Sequence, residues 1–502
     1  MKRSKFNLSN YQLLSCNQGQ LVPIGITEVL PGDSIQHATQ LLVRVQPLNT
    51  PVMHPVHVKV DHFFVPYRLL WANGIDDSFE AFITGGHDGL DASTFPTITI
   101  NNAAIGSLAD YLGVPTGVAQ NVPVSALPFR AYALIFNEFY RDQDLVTPLV
   151  IDLTGGSDTT TNVTLQSPAW EKDYFTSARP WAQKGAEVTL PLGTTAPLVT
   201  TGVPPQMSVT GWTNAELNWN TSINALDLEN IPDGTASDAV TFGANDIIGA
   251  EVDLTEATPA SINDIRLAMA VQRFQEARAR YGSRYTEYLR YLGVRSSDAR
   301  LQRPEPLGRG RATIQFSEVL QQAPSTSGTP GTGVGILKGH GIGSVRSNRY
   351  RRFFEEHGII MSLLRVQPKT VYFKGLNRLW NRRSKTDFWQ KELQHVGQQE
   401  ILKKEIYMQG TSADDEMWGF QDRYDEYRRS ESSVHGAFRT TLNTWHMARD
   451  FSSLPTPNGS FVTADPTNRV YQDTSGVQLQ ILAYHSMQAR RLLAKVGTSY
   501  VY

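Results

Sequence analysis

Residues 28–71 read EVLPGDSIQHATQLLVRVQPLNTPVMHPVHVKVDHFFVPYRLLW. From Ser34 to Val45 the stretch alternates. Ile35, His37, Thr39, Leu41, Val43 and Val45 fall on one face, and Ser34, Gln36, Ala38, Gln40 and Arg44 on the other. Leu42 is the one large apolar side chain on the polar face. This is the period of a half-buried strand. Pro31, Gly32 and Asp33 make a turn leading into it, and Pro47 and Pro51 end it, because proline cannot donate to a ladder. In a second strand Val56, Val58, Val60, His62 and Phe64 share one face, His57, Lys59 and Asp61 share the other, and Pro66 closes it. Two strands of about ten residues joined by a Pro-rich connection point to antiparallel β architecture.

Working outward, the composition is that of a folded soluble protein: 40% hydrophobic and 19% charged over 502 residues. No apolar run reaches the length of a transmembrane helix, so no membrane insertion is expected. The start, MKRSKFNLSN, is basic without an apolar core and is not a secretory signal. Cys16 is the only cysteine, which excludes an internal disulfide and a Cys-rich zinc site. A net charge of −2 argues against a chain built mainly to bind nucleic acid. The charge is strongly segregated. Residues 185–265 contain no Lys or Arg, while residues 266–311 hold eleven arginines against four carboxylates.

The rest of the chain is punctuated by loops. Residues 1–27 read as an extended arm, disordered unless a neighbouring element ties it down. Asp77–Ile83 is a short helix candidate, and residues 87–124 read as loop with short strands. Residues 125–140, SALPFRAYALIFNEFY, have helical spacing and enough aromatics to be buried. An acidic, Thr- and Gly-rich block at about 186–260 reads as a surface insertion. Ser261–Tyr281 is the clearest helix, with an apolar stripe through Leu267, Val271 and Phe274, and with Arg266, Arg273 and Arg280 seven residues apart on one face. That arginine row suits either phosphate or the carboxylates of a neighbour. Residues 321–347 read as a Gly- and Ser-rich loop, residues 355–367 as a strand buried on both faces, and residues 477–487 as a last half-buried strand.

No catalytic constellation is present in the sequence, and no cofactor is expected. His54, His57 and His62 invite a metal reading, but in an extended segment His54 lies about 26 Å from His62, at roughly 3.3 Å per residue, so the three cannot converge without a sharp bend. The glycines at 339, 341 and 343 have no feeding strand and no following helix, and are not a dinucleotide fingerprint. Residues 377–389 differ. Arg378, Arg382, Arg383 and Lys385 are interleaved with Trp380, Phe388 and Trp389. Cations neutralise phosphates and aromatic faces stack unpaired bases, which suits single strands without sequence preference. The alternative is a structural loop whose tryptophans are core and whose arginines pair across a subunit contact.

Several phrases resemble one family. They are Glu28–Asp33 (EVLPGD), Pro51–His57 (PVMHPVH), residues 171–185, and Asp298–Glu305 (DARLQRPE) within residues 292–308. Glu356-His357-Gly358, Trp418–Arg428, Phe438–Thr440 and Thr444–His446 extend the likeness along the chain. Together they resemble the major capsid proteins of microviruses, and the gokushovirus-like branch fits best. The family usually carries an aromatic residue where Pro306 stands and a glycine where Arg309 stands. The resemblance implies a mainly β fold, an eight-stranded antiparallel jelly roll of the viral capsid type with long loop insertions and a few helices. Its first and last strands are neighbours in one sheet, for which residues 34–45 and 477–487 are the candidates. It implies a single capsid domain over residues 28–502 and a non-enzymatic role. The chain would form a sixty-copy, T=1 icosahedral shell around circular single-stranded DNA, with the 186–260 insertion forming surface protrusions for host attachment. The partners it implies are further copies of the chain, the enclosed DNA, minor, internal scaffolding and DNA-binding phage proteins, and a host surface receptor. The place it implies is the virion, assembled in the host bacterial cytoplasm. A monomeric β-rich protein that binds single-stranded nucleic acid is the alternative reading of the same residues.

Overall fold

The computed structural model describes residues 3–84, 93–117, 121–186, 262–281, 302–320 and 334–495, with shorter pieces between 188 and 298 and residue 322. It divides into two units, residues 1–184 with 276–502, and residues 185–275.

The larger unit is built on strands β1 (Ser4–Asn7), β2 (Asn10–Cys16), β3 (Leu21–Val29), β4 (Ser34–Leu48), β5 (Val56–Pro66), β6 (Glu305–Leu320), β7 (Leu337–Arg346), β8 (Tyr350–Phe353) and β9 (Gly358–Pro368). After these come β10 (Gln398–Leu402), β11 (Met417–Asp422) and β12 (Leu479–Arg491). All but β10 and β11 belong to one ten-stranded antiparallel sheet, ordered β1-β12-β4-β7-β6-β5-β9-β3, with β2 also on β12 and β8 also on β4.

The alternation at 34–45 forms β4 and runs on to Leu48, and Val56–Pro66 forms β5. The two do not pair with each other. β4 lies between β12 and β7, and β5 between β9 and β6. Their inward faces explain this. Leu41, Val43 and Val45 share one buried core with Val56, Val58 and Val60, and with Val22, Ile24, Leu364, Val366 and Ile481. The sheet curls so that β4 and β12 face β5 and β9 across this core, as the faces of a sandwich do. Each fully buried Val or Leu there contributes roughly 1.5–3 kcal/mol. Residues 34–45 and 477–487 are neighbours, paired from Leu479 opposite Val45 to Arg490 opposite Ser34, but 34–45 is the fourth strand and not the first, because β1, β2 and β3 precede it in the same sheet.

Two stretches differ from their sequence reading. The expected arm at 1–27 is tied down: it supplies β1, β2 and most of β3, with β1 and β2 on β12 and β3 on β9. Burial of Cys16, Leu21, Val22 and Ile24 holds it there. The expected loop at 321–347 contains β7. Its inward positions are Gly339, Gly341, Gly343 and Val345, so no apolar alternation marks it. Gly339 and Gly341 are required by close approach. A Cβ on Gly339 would lie 2.6 Å from the Thr50 carbonyl oxygen, and one on Gly341 2.8 Å from Val45.

β9 is buried on both faces, as expected. Its second face is covered by helix α1 (Leu127–Ile135), which runs on as a π-helical turn to Tyr140. Phe129, Tyr132, Ile135 and Phe136 pack with Trp71, Phe63, Val65, Ile359 and Met361. The short helix expected at 77–83 spans Phe79–Thr84.

In the smaller unit, Gln206–Val209, Trp212–Asn220 and Ala225–Glu229 form a three-stranded antiparallel sheet, and Leu198–Thr200 pairs with Ala250–Val252. Apart from residues 186 and 188, the rest of the acidic block at 186–260 lies outside the described residues. Helix α2 (Ile262–Tyr281) matches the expected helix. Its apolar stripe is not covered: Leu267 and Val271 are exposed. No helix among the described residues is long and apolar enough to cross a membrane.

Candidate nucleic-acid and subunit interface

The segment at 377–389 is two short 3₁₀ turns on a carboxylate foundation. The first, Arg378–Asn381, is capped by the Asn377 side chain, which accepts from the Leu379 amide at 2.9 Å. The second, Lys385–Asp387, is closed by Asp387, whose Oδ2 accepts from the amides of Arg383 and Ser384, each at 2.7 Å. Those backbone hydrogen bonds hold the Asp387 carboxyl below the usual carboxylate range.

The basic residues fall into two groups. Arg378 faces inward: Nη1 donates to Glu405 Oε1 at 3.0 Å and to the Glu400 carbonyl at 2.7 Å. Burial pushes the Glu405 carboxyl up, against the pull of Arg378. Arg382 shares Glu426 with Arg378, each at 3.6 Å, and its guanidinium lies 4.3 Å from the Tyr427 ring. These two arginines anchor the loop. Arg383 and Lys385 are exposed, beside Trp380, Phe388 and Trp389 at 70%, 50% and 53% exposure. Large aromatic faces left this open on a loop held by buried ion pairs form a presented surface.

Strands β10 and β11 supply the foundation, from residues that are not among the candidate site residues of the sequence, although Trp418–Arg428 carries part of the family likeness. Glu405 follows β10, and Tyr424, Glu426 and Tyr427 follow β11. The Tyr424 hydroxyl donates to the Phe388 carbonyl at 3.0 Å and accepts from the Gln390 amide at 3.2 Å. Tyr424 takes a left-handed backbone conformation, φ 64°, uncommon for a residue with a side chain. Arg423, Tyr424, Tyr427, Arg428 and Arg429 interleave cations and aromatics as 378–389 does, and that repetition was the available signal. A cavity of about 230 Å³ adjoins Trp380, with Arg378, Glu405, Arg429 and Arg439 in its wall.

The arginine row on α2 is not brought together as one site. Arg280 forms an ion pair with Asp422 at 2.7 Å, while Arg266 and Arg273 are exposed and belong to the smaller unit. His54, His57 and His62 each bond a different partner: the Lys369 carbonyl at 2.7 Å, Thr313 at 3.2 Å and Ser362 at 2.7 Å. No group of three or more potential ligands able to hold a metal ion occurs among the described residues.

Comparison with known proteins bears on the chain as a whole. The family described as Capsid protein (F protein) matches residues 1–501. The chain is 36% identical over 485 residues to Capsid protein VP1 of Bdellovibrio phage phiMH2K, covering 92% of this chain and 88% of that one. It is 32% identical to Capsid protein VP1 of Chlamydia phage 1, covering 93% of this chain and 90% of that one. Capsid protein VP1 of Spiroplasma virus 4 is 30% identical, over 93% of this chain and 88% of the relative.

Proposed function

Because this chain belongs to the Capsid protein (F protein) family of microviruses, and so is a structural protein of a phage virion and not an enzyme, we propose that sixty copies close into a T=1 icosahedral shell around circular single-stranded DNA. The observation that carries this furthest is the strand order. β2-β12-β4-β7 on one side of the core and β3-β9-β5-β6 on the other support a jelly-roll reading, eight antiparallel strands in two facing Greek keys. β6 is long enough to serve both sides, pairing with β5 through Ile314 and with β7 from Gln315 onward. Loops make up much of the remaining chain, and their exposed apolar and aromatic side chains are covered on assembly.

Within that reading, the acidic block at about 186–260, which lies in the smaller unit, is the surface insertion of a single capsid domain, and it forms protrusions used in host attachment. Absence of Lys and Arg between residues 185 and 265 supports an outward, soluble position. Trp380, Arg383, Lys385 and Trp389 contact the enclosed DNA or a neighbouring subunit, with Arg378 and Arg382 holding their loop. Arg266, Arg273 and Arg280 contribute at subunit contacts or to DNA. Minor, internal scaffolding and DNA-binding phage proteins co-assemble with the shell in the host cytoplasm, and a host surface receptor meets the protrusions.

Nuclease treatment of particles recovered from infected cells tests the enclosure. The expected result is full-length circular single-stranded DNA that survives nuclease while the particle is intact and is degraded once it is opened. DNA degraded while particles stay intact would contradict the proposal.

A further inference from the structure

Four strands carry a matching change of chemistry on their inward faces. On β4, Ile35 is followed by His37 and Thr39 and then Leu41. On β5, Phe64 is preceded by His62 and then Val60. On β12, Ala483 is followed by His485 and then Met487, and on β9, Ile360 by Ser362 and then Leu364. Ile35, Phe64, Ile360 and Met487 belong to one buried apolar cluster, and Leu41, Val60, Leu364 and Ala483 to another. A layer of three histidines therefore separates two apolar clusters inside one sandwich.

The layer is closed to solvent and its hydrogen bonds run in one direction. All three rings are buried. His485 Nε2 lies 2.6 Å from the Ile24 carbonyl oxygen, which can only accept, so that nitrogen carries the proton and Nδ1 is a bare acceptor. Nδ1 faces His37 Nε2 at 3.2 Å and the Thr39 hydroxyl at 2.9 Å. With His37 Nε2 donating, its Nδ1 accepts from the Tyr350 hydroxyl at 3.0 Å. These tautomers are assigned from the network. His62 Nδ1 meets the Ser362 hydroxyl at 2.7 Å, and its Nε2 is buried with no partner among the described residues. Its ring centre lies 4.7 Å from that of His37. Gly25 admits the His485 ring, because a Cβ there would lie 2.8 Å from it. The other groups facing the rings are Thr39 from β4, Tyr350 from β8, Ser362 from β9, the Ile24 carbonyl from β3 and Gly308 from β6. Among the described residues no carboxylate, lysine or arginine acts on the three rings.

We propose that this histidine layer is an acid-sensitive switch: a proton taken up by His37, His62 or His485 breaks the hydrogen-bonded chain, leaves an uncompensated cation between the two apolar clusters, and opens the sandwich in mild acid. The proposal concerns the fold of the single chain, so it stands or falls independently of the shell and its DNA.

Burial, with His62 and His485 close by, pushes His37 down to about 2. Burial, with His485 close by, pushes His62 down to about 3, and burial pushes His485 down as well. A histidine held neutral in the fold binds fewer protons than in the unfolded chain, where it titrates near 6.5. Its stabilising effect is therefore complete above that value and lost as pH falls below it. At pH 5.0, His37 and His62 each raise the unfolding constant roughly 30-fold, roughly 1,000-fold together.

The test is urea unfolding of the full chain at pH 7.5 and pH 5.0, wild type against the double variant His62→Phe with Ser362→Ala. This replaces both partners of one buried hydrogen bond by apolar groups. His54, His57 and His446 are also held below the ordinary range by burial, but they are common to both proteins. The expected result is a rise in unfolding constant between the two pH values that is roughly 30-fold smaller in the variant. Equal pH dependence would overturn the proposal. If the variant does not fold at pH 7.5, the imidazole carbon-13 shifts of the wild type decide. Neutral His37 and His62 rings in whatever fraction is folded at pH 5.0 support the switch, and protonated His37 or His62 in the folded protein overturns it.

Discussion

Replacing Arg130 by methionine is expected to destabilise the chain by about 3–5 kcal/mol, a large share of the stability of any single domain. The Arg130 and Asp158 side chains are both 0% exposed, and Nε donates to Asp158 Oδ2 at 2.9 Å. The other arms of the guanidinium donate to the carbonyls of Leu70 and Thr154, each at 2.9 Å. One side chain thus ties α1 to the segments at 70 and 154–158. Methionine fills much of the volume but leaves Asp158 buried without its cation, held only by the Thr161 hydroxyl and the Thr160 and Thr161 amides, and takes this donor from two carbonyls. Lysine would keep the charge and lose the fork, and is expected to recover only part of the loss. Urea unfolding midpoints measure both variants. A methionine variant within about 1 kcal/mol of wild type would show that the pair is not a keystone of the core.

Removing the presented aromatic faces, Trp380→Ala with Trp389→Ala, is expected to weaken retention of single-stranded DNA by about 1–3 kcal/mol for each base that loses its stacking partner. The fold should be unaffected, because both rings are more than half exposed and stand on a loop held from below by Arg378 and Arg382. Arg378→Ala should do the reverse. It strips Glu405 of its cation and costs about 2–3 kcal/mol of stability, a buried-pair loss discounted for partial exposure. Nucleotide content per particle and urea unfolding, measured on both variants, separate the two effects. If the double tryptophan variant assembles poorly but binds DNA normally, the segment is a subunit contact.

Much of the fold could be read from the sequence wherever alternation was carried by apolar side chains. β4, β5, β9 and β12 were visible for that reason, and α1 by its helical spacing. β7 was hidden because its inward positions are mostly glycine, which leaves the pattern no hydrophobic mark. β6 was hidden because half of its length is exposed and its start lies in the arginine-rich block. β1 and β2 carry no local signal, because their polar, partly exposed residues are ordered by pairing with β12, from Cys16 opposite Leu479 to Ser4 opposite Arg491. Leu42 becomes intelligible in the same way. It stands opposite Leu482, which stands opposite Leu13, so the exception on the polar face of β4 is one of a cross-strand row of leucines.

The candidate interface was half legible. Interleaved cations and aromatics at 378–389 marked the segment. Spacing could not say that Arg378 and Arg382 point inward, because Glu405 and Glu426 reach them through the pairing of β10 with β11. The histidine layer was written in the alternation itself. His37, His62 and His485 each occupy an inward position of a strand whose alternation is legible in the sequence, and only the curl of the sheet brings the three together.

Sedimentation of the full chain, alone and with its phage co-expressed, tests the central claim most directly. The account predicts a uniform closed particle of megadalton mass. A stable 55.8 kDa monomer under both conditions would contradict it.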